Sequence, residues 1–460
     1  MGKGKSKAVS RFLQTKVSYL INAERILLLI SSTLFLSYLS GIIYNRTKIP
    51  DIVWLLVFGM VLGPGLKVFD AQIFLDIFDL ILLVTVALFA FSTGLNFNIQ
   101  HLLGNTARAF NMAIISFMAT SISVGVLLSI ILPTYFNFIT GLLLGAMIAG
   151  IDGVSISSLV SRLNKDSKEM GISGAFLQLE STLADPIKVV GVLTIIKMVT
   201  LTGASPRTAI RDIVFTLLFA TIIGVGAGLT WGEILSRLRD RPLNYMLTIA
   251  TLFPIYVLSE IFSGGGGGPI SVFLFGVVLM NYSLVTKSLR MKKRSRIDRR
   301  KIREYHEEIT FLMKAMFFVY LGLIVKLDIR FFAVGVLLTM LIILVRYITA
   351  TILGKVQGVP EEEVVYTRFF FIQGAGSLVL TQFVTKYDPT GSYFPNSEIF
   401  TNIVIPVVLM SILFTSIVAP FLAQKQIQPK IIDMEAGFGL DDIESGLDLP
   451  KKIDENGEKS

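Results

Sequence analysis

Thirteen apolar runs dominate this chain, at about 25–44, 50–64, 75–95, 106–132, 136–161, 172–198, 210–235, 243–261, 266–285, 309–326, 330–354, 364–386 and 398–423. A helix needs roughly 20 mostly apolar residues to cross the hydrocarbon of a bilayer, and most of these runs reach that length. Barrel strands are shorter and alternate in polarity, so helices are the only spanning structures that fit. The expected fold class is therefore an all-α integral membrane protein with 13 transmembrane helices, referred to below as spans 1 to 13. Hydrophobic residues make up 53% of the 460 and charged residues 16%, a balance that no water-soluble domain keeps. A single membrane domain over 25–423 is expected between a basic N-terminal tail (1–24) and an acidic tail (424–460).

Several chemistries are excluded by residue counts. With no cysteine, the chain has no disulfide, thiolate metal site or thiol nucleophile, and its only histidines are His101 and His306. The formal charge of +9 would suggest nucleic acid in a soluble protein, but the basic residues fall between apolar runs and read as topology determinants. No nucleic-acid partner is expected. Loops after odd-numbered spans hold Arg46, Lys48, Arg108, Arg162, Lys165, Lys168, Arg237, Arg239, Arg241 and the dense run from Lys287 to Arg303. By the positive-inside rule these loops are cytoplasmic, which puts the N-terminus outside and the C-terminus inside. The basic tail at Lys3, Lys5, Lys7, Arg11 and Lys16 argues the other way but is outweighed. It has no small-residue cleavage site and reads as a retained tail.

Short echoes point to an internal repeat. Phe58-Gly59-Met60 in span 2 is echoed by Phe275-Gly276-Val277 in span 9, Gly94-Leu95 in span 3 by Gly322-Leu323 in span 10, and Ile151-Asp152-Gly153 in span 5 by Ile372-Gln373-Gly374 in span 12. Each pair lies seven spans apart, and an odd separation means opposite orientation, so two inverted six-helix repeats are expected.

Ionisable groups inside apolar runs are costly and mark function. Four stand out: Asp152, Glu180, Asp185 and Arg346. Glu180 and Asp185 are five residues apart, about 140° around a helix, and so face different neighbours. Ser181 and Asp185 are four apart and share a face, offering a hydroxyl and a carboxylate to one small cation. Pro186 frees the carbonyl of Thr182 from its helical partner. A carboxylate that cannot comfortably stand empty in low dielectric holds either a cation or a proton, and the two compete for the same oxygens. The rival reading is that Asp185 only pairs with Lys188, one turn on. Arg346, deep in span 11, needs a buried acidic partner, for which Glu180 is the candidate; the rival is that it snorkels to an interface. Asp152 lies between Gly150 and Gly153, where the helix is weak and an acid can face helix N-termini, with Gly374-Ala375-Gly376 in span 12 as the mirror break. The rival there is tight packing alone. The Gly264 to Gly268 run lacks the Lys-Ser/Thr of a phosphate loop and reads as a reentrant or hinge turn. The Lys287 to Arg303 run is either a solvated topology signal or a contact for membrane lipids or the acidic tail.

These residues together resemble the monovalent cation/proton antiporter superfamily, particularly its sodium/proton exchanger branch. The likeness covers about 25–423 and rests on Ile49-Pro50-Asp51 through Gly59 and Gly63-Pro64, on Asp152, on Glu180, Ser181 and Asp185, on Arg346, and on Ser263 to Pro269 leading into Phe275-Gly276. The resemblance implies a homodimer in a cell membrane and a six-helix core moving like an elevator for alternating access. It also implies unwound spans 5 and 12 crossing near Asp185. By carry-over, Asp185, Ser181 and a carbonyl near Ile151 bind the ion, Glu180 pairs with Arg346, and Asp152 and Gln373 balance charge at the helix breaks. No cofactor is implied, only transported monovalent cations and protons. Four positions depart from the family pattern. Ala184 stands where asparagine or a second aspartate is usual, which favours one-for-one electroneutral exchange. Ile151 and Gly153 replace a threonine and a proline, and Gln373 stands where a basic residue is common. Sodium (or lithium) against protons is the first expectation and potassium against protons the second. A transport-inactive sensor using the acidic tail is a third reading. A channel is disfavoured because neither a repeated filter sequence nor an arginine ladder is present.

Overall fold

In the computed structural model the described residues are 24, 27–44, 46–47, 51–66, 72–97, 106–153, 156, 174–200, 206–238, 244–288, 299–325, 328–423 and 425–426. Most of both tails, the Arg162–Lys168 loop and the middle of the Lys287–Arg303 run lie outside them. Among the described residues every regular element is helical. In chain order these are α1 (Leu27–Tyr44), α2 (Asp51–Met60, with a π-helical end Val61–Gly65), α3 (Gln72–Asn96), α4 (Thr106–Ile131), α5 (Phe138–Ile148), α6 (Ala175–Thr200), α7 (Pro206–Arg237) and α8 (Asn244–Phe262). They are followed by α9 (Gly268–Met280), α10 (Tyr282–Ser288), α11 (Arg299–Ile324), α12 (Ile329–Gln357), α13 (Glu361–Phe369), α14 (Ala375–Tyr387) and α15 (Ser397–Leu413, running on as helix to Ala423).

Six of these helices are long and apolar enough to cross a membrane, or seven if α9 and α10, bent by 84° at Asn281, count as one span. Span 6 falls short of that apolarity because α6 carries Glu180, Asp185, Lys188 and Lys197. Span 12 falls short because it is cut in two, α13 and α14, by the non-helical stretch 370–374. On its basic side α11 begins at Arg299, earlier than the apolar run alone predicted.

The helices sort into two groups, dense within and sparse between. One holds α2, α3, α7, α8, α9 and α11; the other holds α4, α5, α6, α12, α13, α14 and α15. In the first group glycines set the spacing. A methyl on Gly59 would come within 2.8 Å of Gly322 Cα, and one on Gly94 within 3.0 Å of Gly276 Cα, so α2 meets α11, and α3 meets α9, backbone against backbone. Close approach of this kind replaces the hydrophobic drive that lipid cannot supply between helices.

Two ends can be told apart. Asn281, closing α9, donates to the Phe97 carbonyl just past α3 at 2.7 Å, and Arg303 near the start of α11 reaches the Leu95 carbonyl at 3.1 Å. Lys314 of α11 meets Asp51, the first residue of α2, at 2.9 Å. At the opposite end lie the glycine turn between α8 and α9 and the close of α14.

Candidate functional site

The site grows from two interruptions lying side by side. After Ile148 the chain leaves helix through 149–152, and after Phe369 it does so again through 370–374. Gly150 supports the first break with a φ of 76°, a conformation that side chains resist. Breaks at this depth free backbone groups that must find partners inside the protein. Here side chains supply them. The Arg346 guanidinium donates to the Phe370 carbonyl at 3.1 Å, and the Thr415 hydroxyl serves both the N–H and the carbonyl of Phe371. The Gln373 N–H donates to Ser411 Oγ at 3.0 Å. The Asp152 N–H donates to the Ile372 carbonyl at 2.9 Å, stitching one break to the other. Gln373 completes the seam, its side-chain amide donating to the carbonyls of Ile148 at 2.8 Å and Gly150 at 2.5 Å.

The Asp152 carboxyl group lies so close to Gly374, the N-cap of α14, that a methyl there would overlap it. A negative charge at a half-helix N-terminus is favourably placed. α6 runs past both breaks. Asp185 Oδ2 accepts the Gly153 N–H at 3.3 Å, and Ser181, fully buried, gives its hydroxyl hydrogen to the Gln178 carbonyl at 2.9 Å. That leaves the Ser181 oxygen lone pairs available on the face it shares with Asp185. Ala184 packs against Gly150, where a glycine Cβ would stand 3.1 Å from the alanine methyl, so a larger residue at 184 would press on the break. Ile151 is fully buried within the first break.

Glu180 points away from Asp185, as their angular separation predicts. Its carboxylate takes two parallel hydrogen bonds from Arg346, at 2.9 and 3.0 Å, and both side chains are at most 3% exposed. Arg346 therefore does not snorkel. Lys188 does not pair with Asp185 either. Its buried ammonium donates to Gln373 Oε1 at 3.1 Å and Ser377 Oγ at 3.3 Å, across the second break. Lys188 was read from the sequence only as a neighbour of Asp185, and Ser377, Ser411 and Thr415 were not singled out. A lysine inside an apolar span was the available signal, whereas the three hydroxyls carry none.

A cavity of about 380 Å³ joins these groups to the Asp51 end, lined by Tyr44, Asp51, Lys314, Thr93, Asp152, Asp185 and Lys188. A second, of about 250 Å³ and largely apolar, runs from Asp185 and Pro186 to Pro269 and Ile270, beneath the glycine turn. Among the described residues no three histidine, aspartate or glutamate side chains gather as a resident metal would require. The donor set instead suits one exchangeable, weakly held monovalent ion: a carboxylate, a hydroxyl and backbone oxygens freed by a break.

The family model described as "Sodium/hydrogen exchanger, transmembrane" matches residues 31–424. The chain is 25% identical over 301 residues to the probable Na(+)/H(+) antiporter 2 of Methanocaldococcus jannaschii, covering 63% of this chain and 69% of that protein. It is 26% identical over 314 residues to the low-affinity Na(+)/H(+) antiporter NhaS1 of Synechocystis, covering 66% of this chain and 54% of that protein. Its fold is similar to the structure of the sodium proton antiporter MjNhaP1 from Methanocaldococcus jannaschii at pH 8, with a TM-score of 0.72 and 20% identity over 90% of this chain and 99% of that one.

Proposed function

Because the chain belongs to the family of transmembrane sodium/hydrogen exchangers, we propose that it exchanges one sodium (or lithium) ion for one proton across a cell membrane, Asp185 holding the two by turns. The observation that carries this reading is the Asp185 carboxylate itself, half-buried beside two adjacent helix breaks, lining both cavities and tied to the described residues by one long hydrogen bond. Ser181 and the backbone near Ile151 complete the cation's oxygen shell, and Asp152 and Gln373 hold the two breaks together. Glu180 and Arg346 form a structural pair that takes no part in binding.

Formal charge supports the one-for-one ratio. Glu180 and Arg346 cancel, and Asp152, Asp185 and Lys188 together leave a single negative charge. One monovalent cation or one proton neutralises it, so the cycle moves no net charge. Ala184 adds no second acid.

The finer architecture belongs to the same proposal: thirteen spans in two inverted six-helix repeats, spans 5 and 12 crossing at their breaks, the N-terminus outside and the C-terminus cytoplasmic, and two copies forming a homodimer. The glycine contacts support the repeat. Gly59 with Gly322 and Gly94 with Gly276 are one contact seen twice once span 2 is overlaid on span 9 and span 3 on span 10.

The test is flux in proteoliposomes. Asp185→Asn should abolish sodium-driven proton movement while the protein still elutes as a folded species in detergent. Undiminished exchange in that variant would remove Asp185 from the mechanism.

A further inference from the structure

The glycine turn does more than join two helices. Gly264, Gly265 and Gly266 have φ of 69°, 98° and 80°, and the turn they make wraps around the carboxylate of Glu260. Glu260 accepts the Gly266 N–H at 2.7 Å and the Gly268 N–H at 3.1 Å, and the Ser263 carbonyl accepts the Thr216 hydroxyl at 3.1 Å. So pinned, the turn forms a hydrogen-bonded seat on the first helix group.

Side chains from the second group sit on it. At the end of α14, Tyr387 donates its hydroxyl to Glu260 Oε1 at 3.2 Å, and Lys386 brings its ammonium to 3.8 Å from the same oxygen. Lys386 also donates to the Tyr256 hydroxyl at 2.6 Å and lies 5.0 and 4.9 Å from the ring centres of Tyr256 and Tyr387. On α6, Lys197 donates to Thr216 at 2.5 Å. These ties cross between groups that otherwise meet sparsely. They also hold the two helices that matter to the ion, since α6 carries Asp185 and α14 begins at the second break.

We propose that Lys386 and Lys197, seated on Glu260 and Thr216, form a latch that closes the glycine-turn end and so keeps Asp185 open only to the Asp51 end. The inference rests on the exchange reading above for its purpose, but not for its test. Two observations agree with it. The larger cavity runs from the Asp51 end past Asp185, and Pro269, the residue after the turn, lines both it and the smaller cavity, so the space around Asp185 extends as far as the latched turn. The strength of the contact also fits a part that must open on every cycle. Lys386 and Glu260 are 19% and 20% exposed, and a partly wetted pair at 3.8 Å is weak, unlike a dry bidentate pair, which would stay shut.

The chain has no cysteine, so Ile270→Cys supplies a single thiol, on a residue buried in the smaller cavity. In liposomes, a membrane-impermeant maleimide applied from the glycine-turn side should label this cysteine slowly. Adding Lys386→Met should raise the rate about tenfold, and Lys197→Met about threefold, by shifting the balance of open and closed forms. Lys386→Arg, which keeps the charge, should label like the parent. Equal rates in all four proteins would overturn the latch. Labelling needs no ion movement, so a failed latch and a failed exchanger are told apart. Should Lys386→Met not fold, Glu260→Cys with Lys386→Cys, bridged by a bis-methanethiosulfonate that forms a disulfide to each cysteine with loss of methanesulfinate, gives the second arm. Bridging should arrest exchange and reduction restore it; exchange that continues through complete bridging would dispose of the proposal.

Discussion

Glu180 and Asp185 sit on the same helix a little over one turn apart, and they are held in opposite ways. Glu180 is sealed, with both carboxylate oxygens on the Arg346 guanidinium, and the guanidinium's remaining edge on the Phe370 carbonyl. Asp185 is left loose, with one backbone N–H at 3.3 Å among the described residues and two adjoining cavities against it. Burial alone therefore does not identify a working charge in this protein. A saturated carboxylate has no capacity left for an ion, whereas an unsaturated one beside a water-sized space must find something positive to hold.

The sealed pair is where breaking this comparison costs most. Arg346→Met leaves Glu180 without its counter-charge and the Phe370 carbonyl without its donor. Loss of one partner of a dry pair costs about 3–5 kcal/mol. Thermal unfolding in detergent should show a large drop for Arg346→Met. The double variant Glu180→Leu with Arg346→Met should recover much of it, because no lone charge remains. A single variant as stable as the parent would mean that the pair is not structural.

Lys188 sharpens the comparison from the loose side. Lys188→Met takes the site's formal charge from one negative to two and strips the ammonium from Gln373 Oε1 and Ser377. Lost buried hydrogen bonds of this kind cost about 1–3 kcal/mol, less than the sealed pair. The more telling readout is electrical. Exchange by the parent should be indifferent to an imposed membrane potential, whereas exchange by Lys188→Met, where it persists, should respond to it. Indifference in both would break the charge count.

Lys188 also marks the limit of what the sequence could tell. The all-helical membrane architecture was legible because a run near twenty apolar residues has one physical use, and Glu180 and Arg346 were legible because each is a charge that such a run cannot tolerate alone. Lys188 was visible by the same rule, but one helical turn suggested Asp185 as its partner. Its real partners, Gln373 and Ser377, are nearly two hundred residues away and meet it only once the breaks of spans 5 and 12 lie side by side. Glu260 was missed for a different reason. At the end of a span it reads as an ordinary interfacial charge, and only the folded glycine turn turns its carboxylate inward to Gly266 and Gly268. Gln373 was legible as a residue of the second break, but not its partners, since an amide gives no sequence signal of the carbonyls it will bind.

The smallest expected effect is also the most selective. A methyl built on Gly153 would lie 3.2 Å from Asp185 Oδ2 and 3.5 Å from the Ser181 carbonyl, tight enough to move the carboxylate by a few tenths of an ångström without touching the pair at Glu180. Gly153 is helical and its φ is not positive, so alanine suits the backbone and should stabilise it by about 0.5–1 kcal/mol if anything. Gly153→Ala should therefore leave the unfolding temperature unchanged or slightly raised while increasing the KM for sodium about threefold, with the rate at saturating sodium preserved. Because protons and sodium compete for the same oxygens, that increase should persist as pH falls and KM climbs in both proteins. A KM equal to the parent's at every pH would mean that the cation does not touch the Asp185 oxygen nearest Gly153. A parallel loss of stability and rate would mean that the two carboxylates of α6 are not as separately held as their geometry implies.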